Sequence, residues 1–138
     1  MIIDASVALK WFLPEPDAAL AGRVFLQGNL TAPSIFPIEI GHVLTKYVRQ
    51  RIIAASDAME LWFDLQRTEV RIVDSNPLLT PAMQLSLRLG AGLYDCIYLC
   101  LAVREDDIFV TADDRFVRAA DSEPDLRGRA KRLGDAVL

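Results

Sequence analysis

Short apolar runs alternate along this chain with longer stretches in which apolar positions recur every three or four residues. The first run is Met1–Ile3, closed at once by Asp4, and it reads as a short buried strand. Ala5–Phe12 continues as a helix start and stops at Pro14 in "LPEPD". "PDAALAGRVFLQG" reads as a second helix, opened by Pro16 and Asp17, with Leu20, Val24 and Leu26 as its apolar positions and Gly28 past its end. "LTAPSI" is a strand in which Pro33 marks an edge or an end. In "FPIEIGHVLTKYVRQR", Ile40, Val43, Leu44, Tyr47 and Val48 recur at helical spacing. "SDAMELWFDLQRT" is a helix with Ser56 as its N-cap. "VRIVDS" alternates as a strand does. Pro77 and Pro81 lie early in a helix that runs to Gly90. "YDCIYLCLAVRED" is nearly all apolar after Asp95, the pattern of a helix buried on most sides. "DIFVTADD" is a buried strand ending on carboxylates, and "RFVRAAD" is a short helix. The closing "RGRAKRLGDAVL" mixes basic residues with a late apolar patch, and its pattern assigns it to no element.

Strands alternating with helices predict an α/β protein. The expected architecture is an α/β sandwich around a mainly parallel central sheet, in one domain spanning residues 1–138. In such sheets ligands collect outside the carboxyl ends of the strands. Asp4 and Asp113 each sit at that end of a predicted strand, so the fold can bring them to one rim from opposite ends of the chain.

Composition narrows the picture. A hydrophobic fraction of 52% in 138 residues supports a dense core without disulfides or a structural metal. Cys96 and Cys100 share a helix face in an apolar run and are expected as packed, reduced thiols. A metal pair would need further Cys or His nearby, and the one histidine, His42, is distant in sequence. The net charge of −4 counts against a protein that coats nucleic acid broadly. It leaves room for an enzyme acting on nucleic acid, because charge is used locally. No uncharged apolar stretch is long enough to span a membrane. The opening run is three residues with no basic segment before it, so the cytoplasm is the expected compartment.

Four acids stand out, each with a plain structural alternative. Asp4 either caps the following helix or faces a site, and Ser6 either caps or holds a carboxylate or a water. Glu39 is set among Ile35, Phe36, Ile38 and Ile40, yet it can equally face solvent from an amphipathic helix. His42 lies three residues on, within reach on the same face, although a lone histidine is more often packed or solvated than a ligand. Asp95 either caps a helix, where the macrodipole favours a negative charge, or stands partly desolvated at the mouth of that apolar helix. Asp113 either closes a strand-end turn or joins Thr111 on one side of the strand, with Asp114 beside it.

Gathering the four in one cleft is costly. Two unit charges about 4 Å apart repel by roughly 4 kcal/mol at an effective dielectric of 20. Either their pKa values rise or a cation neutralises them. All-oxygen ligation suits Mg²⁺ or Mn²⁺, and such ions activate water against a phosphodiester. Other chemistries fit less well. No G-x-x-x-x-G-K-[ST] loop is present, the first strand is followed by "DAS" where a haloacid-type phosphatase would carry D-x-D, and no lysine lies between Lys46 and Lys131, where a phospho-acceptor domain would need one.

Taken together, "MIIDASV", "PSIFPIEIGHVL", "GLYDCIYLCLA" and "IFVTADDRF" resemble, in order and spacing, the PIN domain, and within it the VapC-type toxin nucleases of toxin–antitoxin pairs. The resemblance covers essentially the whole chain. It implies a three-layer α/β/α fold and a Mg²⁺- or Mn²⁺-dependent endoribonuclease whose acidic positions match Asp4, Glu39, Asp95 and Asp113, with Ser6 and Thr111 at the accompanying hydroxyl positions. It implies a homodimer and a small antitoxin that wraps the toxin and reaches into the acidic site. His42 stands where the family commonly carries asparagine, and Asp114 is an additional acid; both are expected around the ligands and not among them. A catalytically inactive interaction module with the same fold is the alternative, and the retained acids argue against it. Lys10, Lys46, Arg49 and Arg115, with Arg51 and Arg118, are the candidate phosphate contacts. A structured RNA such as a transfer RNA suits so weakly basic a groove better than sequence-blind binding. Trp11, Phe12, Trp62 and Phe63 are expected in the core, and any of them left exposed would offer a groove for an antitoxin helix.

Overall fold

The computed structural model describes residues 1–137. Five strands form one sheet: β1 (Ile2–Ile3), β2 (Leu30–Pro33), β3 (Val70–Val73), β4 (Phe109–Thr111) and β5 (Ala130–Arg132). Their order is β3-β2-β1-β4-β5, and every neighbouring pair is parallel. Helices flank the sheet: α1 (Ala5–Leu9), α2 (Ala18–Gln27), α3 (Phe36–Arg49), α4 (Ala55–Gln66), α5 (Leu79–Leu89), α6 (Leu93–Arg104), α7 (Asp114–Asp121) and α8 (Leu133–Ala136). A turn of 3₁₀ helix over Asn76–Leu78 precedes α5. This is the parallel α/β sandwich that the alternating pattern predicts, in the three-layer α/β/α form that the resemblance implies.

The strand order fixes where a ligand can sit. From β1 the chain winds outward through β2 to β3, and later returns to the other side of β1 as β4 and β5. The winding direction therefore reverses between β1 and β4. At such a switch point the connections leave in opposite directions and open a crevice at the carboxyl ends of the strands. Ile3 pairs with Val110, so the next residues, Asp4 and Thr111, emerge side by side at that crevice.

The core forms on both sides of β1 and β4, whose apolar residues Ile2, Ile3, Phe109 and Val110 have no exposed surface. α6 packs across β2, β1 and β4 and carries α5. Its residues Cys96, Ile97, Tyr98, Leu99, Leu101 and Ala102 are all buried, which explains its nearly unbroken apolar sequence. Tyr98 stacks on Phe109 with ring centroids 5.3 Å apart. Cys96 is buried and Cys100 half-buried, both as free thiols, and burial pushes the Cys96 thiol up to about 12.

Several details differ from the sequence expectations. α4 begins at Ala55 with Ala54 as its cap residue, and Ser56 lies inside the first turn with no capping bond. On α2 the buried positions are Ala21 and Val24, while Leu26 is exposed. α1 is shorter than expected, because turns take over from Lys10. The closing segment that patterning could not place supplies β5 and α8; β5 is too short and too basic to show a strand period. Its Lys131 and Arg132 charge one sheet edge, as Arg71 on β3 charges the other, which discourages edge pairing. Pro33 ends β2, the second strand in, and its missing N–H costs no interior ladder bond. Trp11 and Trp62 are half-buried, whereas Phe63 is exposed. No single helix among the described residues is long and apolar enough to cross a membrane.

Leu99 has no exposed surface at the centre of α6. Leu99→Ala is expected to destabilise the fold by about 2–5 kcal/mol, read from urea unfolding.

Candidate active site

Asp4 does two jobs with two oxygens. As the N-cap of α1, its Oδ1 accepts from the Val7 N–H at 3.1 Å, and Ser6 Oγ donates to the same oxygen at 2.5 Å. Its Oδ2 accepts from Thr111 Oγ1 at 2.8 Å, across the β1–β4 seam. Asp4 therefore caps α1 with one oxygen and meets Thr111 with the other, while Ser6 lies inside the helix, holds the Asp4 carboxylate and makes no capping bond. Thr111 Oγ1 in turn accepts from the Asp113 N–H at 3.2 Å. Asp113 Oδ1 accepts from the Phe116 N–H at 3.1 Å and caps α7. The strand stops at Thr111, so Asp113 takes its place through the cap and not through strand alternation.

Helix starts deliver the other two acids. Glu39 lies in the first turn of α3. Ser34 and Ser75 lock that turn in place: Ser34 Oγ donates to Ser75 Oγ at 2.9 Å, and Ser75 Oγ accepts from the Ile35 N–H at 3.3 Å. Asp95 lies in the first turn of α6, inside the helix and not at its cap, which is Gly92. Both helix N-termini favour negative charge nearby.

Asp4, Glu39, Asp95 and Asp113 line one cleft of about 480 Å³, together with Ser6, Thr111, Lys10, Glu15, Val43 and Tyr47. Asp4 is almost fully buried, Glu39 and Asp95 are half-buried, and Asp113 is exposed. Crowding and burial leave a clear electrostatic mark. Burial raises the Asp4 carboxyl, against hydrogen bonds from Ser6, Thr111 and Val7 that lower it. Glu39 is pushed up to about 7, first by burial and then by the charges of Asp4 and Asp95. Asp95 is pushed up to about 6 by burial, Asp4 and Asp113. Beneath the cleft the Tyr98 hydroxyl and Glu39 Oε1 are both buried and unpartnered. They lie close enough for Tyr98 to lower the Glu39 pKa, but short of hydrogen-bond geometry.

These donors suit a hard divalent cation. They are all oxygens, they repel one another, and Glu39 keeps one buried oxygen with no partner. Among the described residues no three Asp, Glu, His or Cys side chains converge closely enough to ligate one ion as they stand. Mg²⁺ tolerates that spacing, because it keeps several waters and takes only one or two carboxylates directly.

The other candidates fall outside the cleft. His42 is exposed on α3 and does not line it. Asp114 faces a neighbouring pocket with Arg132 and Asp135, where its carboxylate lies 4.0 Å from Arg132. Lys46, Arg49, Arg51, Arg115 and Arg118 are exposed, and none lines the cleft. Lys10 alone among the candidate cations does, paired with Glu15. Sequence reading missed Glu15, Tyr47 and Tyr98. Glu15 lies between two prolines in "PEP", a sign of a fixed turn, but nothing in that pattern shows which way the turn faces.

The family model of the PIN domain matches residues 1–122. The chain belongs to the PIN domain family. PIN domains are generally nucleases, which accords with an acidic cleft at a sheet switch point. No curated protein matches the chain. Solved structures share its fold. PAE2754 from Pyrobaculum aerophilum superposes with a TM-score of 0.74 at 17% identity, over 99% of this chain and 85% of that one. A toxin–antitoxin complex from Klebsiella pneumoniae gives 0.62 at 13% identity, over 96% of each chain. VapBC2 from Rickettsia felis, bound to a DNA fragment from its promoter, gives 0.63 at 16% identity, over 95% of this chain and 96% of that one.

The raised acids make stability depend on pH with a definite sign. A carboxyl whose folded pKa exceeds its unfolded value binds protons more tightly when folded, so stability falls as pH rises between the two values. In EDTA, thermal stability should decline from about pH 4 to about pH 7, the window of Glu39 and Asp95. Glu39→Gln should flatten the decline and raise the melting temperature near neutrality. An unchanged profile in that variant would show that Glu39 is not under strain. Thr111→Val, which leaves Asp4 Oδ2 without its donor, should cost about 10- to 100-fold in activity, measured as initial cleavage rate.

Proposed function

We propose that this PIN domain is a divalent-metal-dependent endoribonuclease, the toxin of a toxin–antitoxin pair. The observation that carries the reading is the convergence of Asp4, Glu39, Asp95 and Asp113 on one cleft at the switch point, with two of them pushed toward neutrality. A phosphodiester is an anion, and four unneutralised carboxylates would repel it. The arrangement makes chemical sense as a cation site facing a phosphate.

Asp4, Asp95 and Asp113 would hold Mg²⁺ or Mn²⁺, directly or through water, and Glu39 would complete the site or orient the attacking water. When bound, such an ion lowers the pKa of a water and offsets charge on the reacting phosphate. The protein's own groups do the rest. Ser6, Thr111 and the Val7 N–H fix the Asp4 carboxylate, so the site is set before substrate arrives. Glu39, in the first turn of α3 and lining the cleft, is placed to orient the attacking water. By resemblance to the family, attack is in line and the products are a 5′-phosphate and a 3′-hydroxyl. The chain has one histidine, exposed and outside the cleft, so cleavage through a histidine pair and the ribose 2′-hydroxyl is disfavoured.

RNA reaches an acidic protein through local cations. Lys46 and Arg49 on α3 and Arg115 on α7 are exposed on two helices whose starts carry site acids, Glu39 in the first turn of α3 and Asp113 at the cap of α7. So sparse a set favours recognition of a structured RNA, such as a transfer RNA, by its shape over sequence-blind binding. Two of the structural relatives are toxin–antitoxin assemblies, which supports a small antitoxin as partner. Ile38, Met59 and Phe63 are large, apolar and exposed on α3 and α4, and they suit an antitoxin helix. Leu79, Met83 and Leu87 form an exposed stripe at four-residue spacing along α5, which supports a homodimer. A cytoplasmic setting accords with the two free thiols.

Purified protein should cut total cellular RNA, transfer RNAs included, into discrete fragments with Mg²⁺ or Mn²⁺. EDTA and Asp95→Asn should each remove the fragments while leaving the fold intact by circular dichroism. Cleavage by Asp95→Asn at the parent's rate would refute the assignment, and failure to cut under any metal condition would favour an interaction module.

A further inference from the structure

The acidic cleft contains one basic side chain, and a carboxylate holds it. Lys10 follows directly on α1, the helix that Asp4 caps. Its Nζ meets Glu15 Oε2 at 2.6 Å. The Lys10 side chain is only 11% exposed, and it lines the cleft beside Asp4, Asp95 and Asp113. Glu15 lines it too. No other lysine or arginine among the described residues does so.

Among the described residues this pair is more buried than most ion pairs, and only the Met1 N-terminus with Asp107, remote from the cleft, is similarly enclosed. Arg67–Asp64, Arg88–Asp125 and Arg132–Asp135 join well-exposed side chains, the kind that contribute little. Lys10 gives up most of its hydration to stand in a crowded acidic cleft. Such a placement costs free energy unless the charge has a partner. One carboxylate supplies that partner and uses one N–H, the only hydrogen bond that Lys10 Nζ makes. An ammonium has three N–H donors, so donors remain for a second acceptor. Glu15 itself has little freedom. Pro14 and Pro16 flank it, the Glu15 N–H donates to Leu13 O at 2.9 Å, and the Ala18 N–H donates to Glu15 O at 3.1 Å. Two prolines fix the backbone dihedrals on either side, so the turn behaves as a bracket and not as a lid.

We infer that Lys10 binds a phosphate of the RNA inside the cleft and that Glu15 is its positioning residue, holding the ammonium ready for that contact. The inference rests on the nuclease reading above. It adds to the acidic constellation a substrate-binding cation, and it gives a role to the "PEP" bracket that the four acids do not use. Without Glu15 the Lys10 ammonium has no fixed partner, and the acids of the cleft compete for its charge. With Glu15 the charge stays at one wall. The remaining acids are left for the divalent ion.

Binding separates this arrangement from a purely structural ion pair and from a latch. The probe is a fluorescein-labelled transfer RNA, its affinity for the full-length protein measured by anisotropy in Ca²⁺ across a range of KCl concentrations, with cleavage assayed separately in Mg²⁺. Lys10→Met, which keeps the buried stem, should weaken binding about tenfold and reduce the slope of log K against log salt by about 0.7–0.9. Glu15→Gln should also weaken binding, by about three- to tenfold, with the slope unchanged because Lys10 keeps its charge. Lys10→Arg should recover the slope. Tighter binding by Glu15→Gln would make Glu15 a competitor for Lys10 and overturn the positioning role. Binding by Lys10→Met equal to the parent's, while the parent still cleaves RNA, would overturn this inference alone. A parent protein that neither binds nor cleaves RNA would overturn the nuclease reading and this inference with it. Should Lys10→Met fail to fold by circular dichroism, Lys10→Gln and the Glu15→Gln sign decide the matter.

Discussion

Asp4 is a carboxylate with almost no access to water, and the surrounding fold is arranged to keep it there. Parallel pairing of β1 with β4 sets Asp4 beside Thr111, and the hydroxyl donates to one oxygen while the start of α1 donates to the other. Burial works against the charged form, and these donors work for it; burial wins, and the pKa rises. The same crowding acts on the rest of the rim. Burial raises Glu39 and Asp95 as well, with the Asp4 charge adding to it, and the acids together line the cleft that a cation would complete. Such a cluster is destabilising in isolation, the ordinary sign of a site kept for chemistry and not for stability.

The fold supplies the meeting point at no cost to its core. A reversal of winding between β1 and β4 opens a crevice whichever side chains occupy it. Three of the four acids sit beyond strand ends or in the helix that follows one, and the fourth opens the helix leading into β4. The apolar helix α6 serves both ends: its body fills the space over β2, β1 and β4, and its first turn presents Asp95. Lys10 and Glu15 extend the same economy, since α1 and its proline bracket place a cation at the wall of an otherwise acidic cleft.

Much of this is legible in the sequence, for physical reasons. Buried parallel strands are continuous apolar runs, so "MII" and "IFV" stand out, and the residues closing them fall at the carboxyl rim. Asp4 and Asp113 are therefore readable as neighbours before any coordinates. Glu39 and Asp95 are readable as helix-start acids in apolar settings. Burial that depends on packing between distant elements is not readable. Leu26 and Phe63 look like core residues and are exposed, while the basic strand β5 shows no period because an edge strand of three residues has none to show. His42 is within reach of Glu39 by helical spacing, yet the helix turns it to solvent. Ser56 looks like a cap, but the helix begins one residue before it. Glu15 was hidden for the same reason: a proline bracket announces a rigid turn without its direction.

The central claim is that the crowded carboxylates form a cation site whose protons the cation displaces. Calorimetric titration of Mn²⁺ into the protein at about pH 6.5, between the Glu39 and Asp95 values, tests it most directly when repeated in two buffers of different ionisation enthalpy. The account predicts binding accompanied by proton release, with less release in Glu39→Gln. Absence of binding, or binding with no proton released and no change in Glu39→Gln, would contradict it.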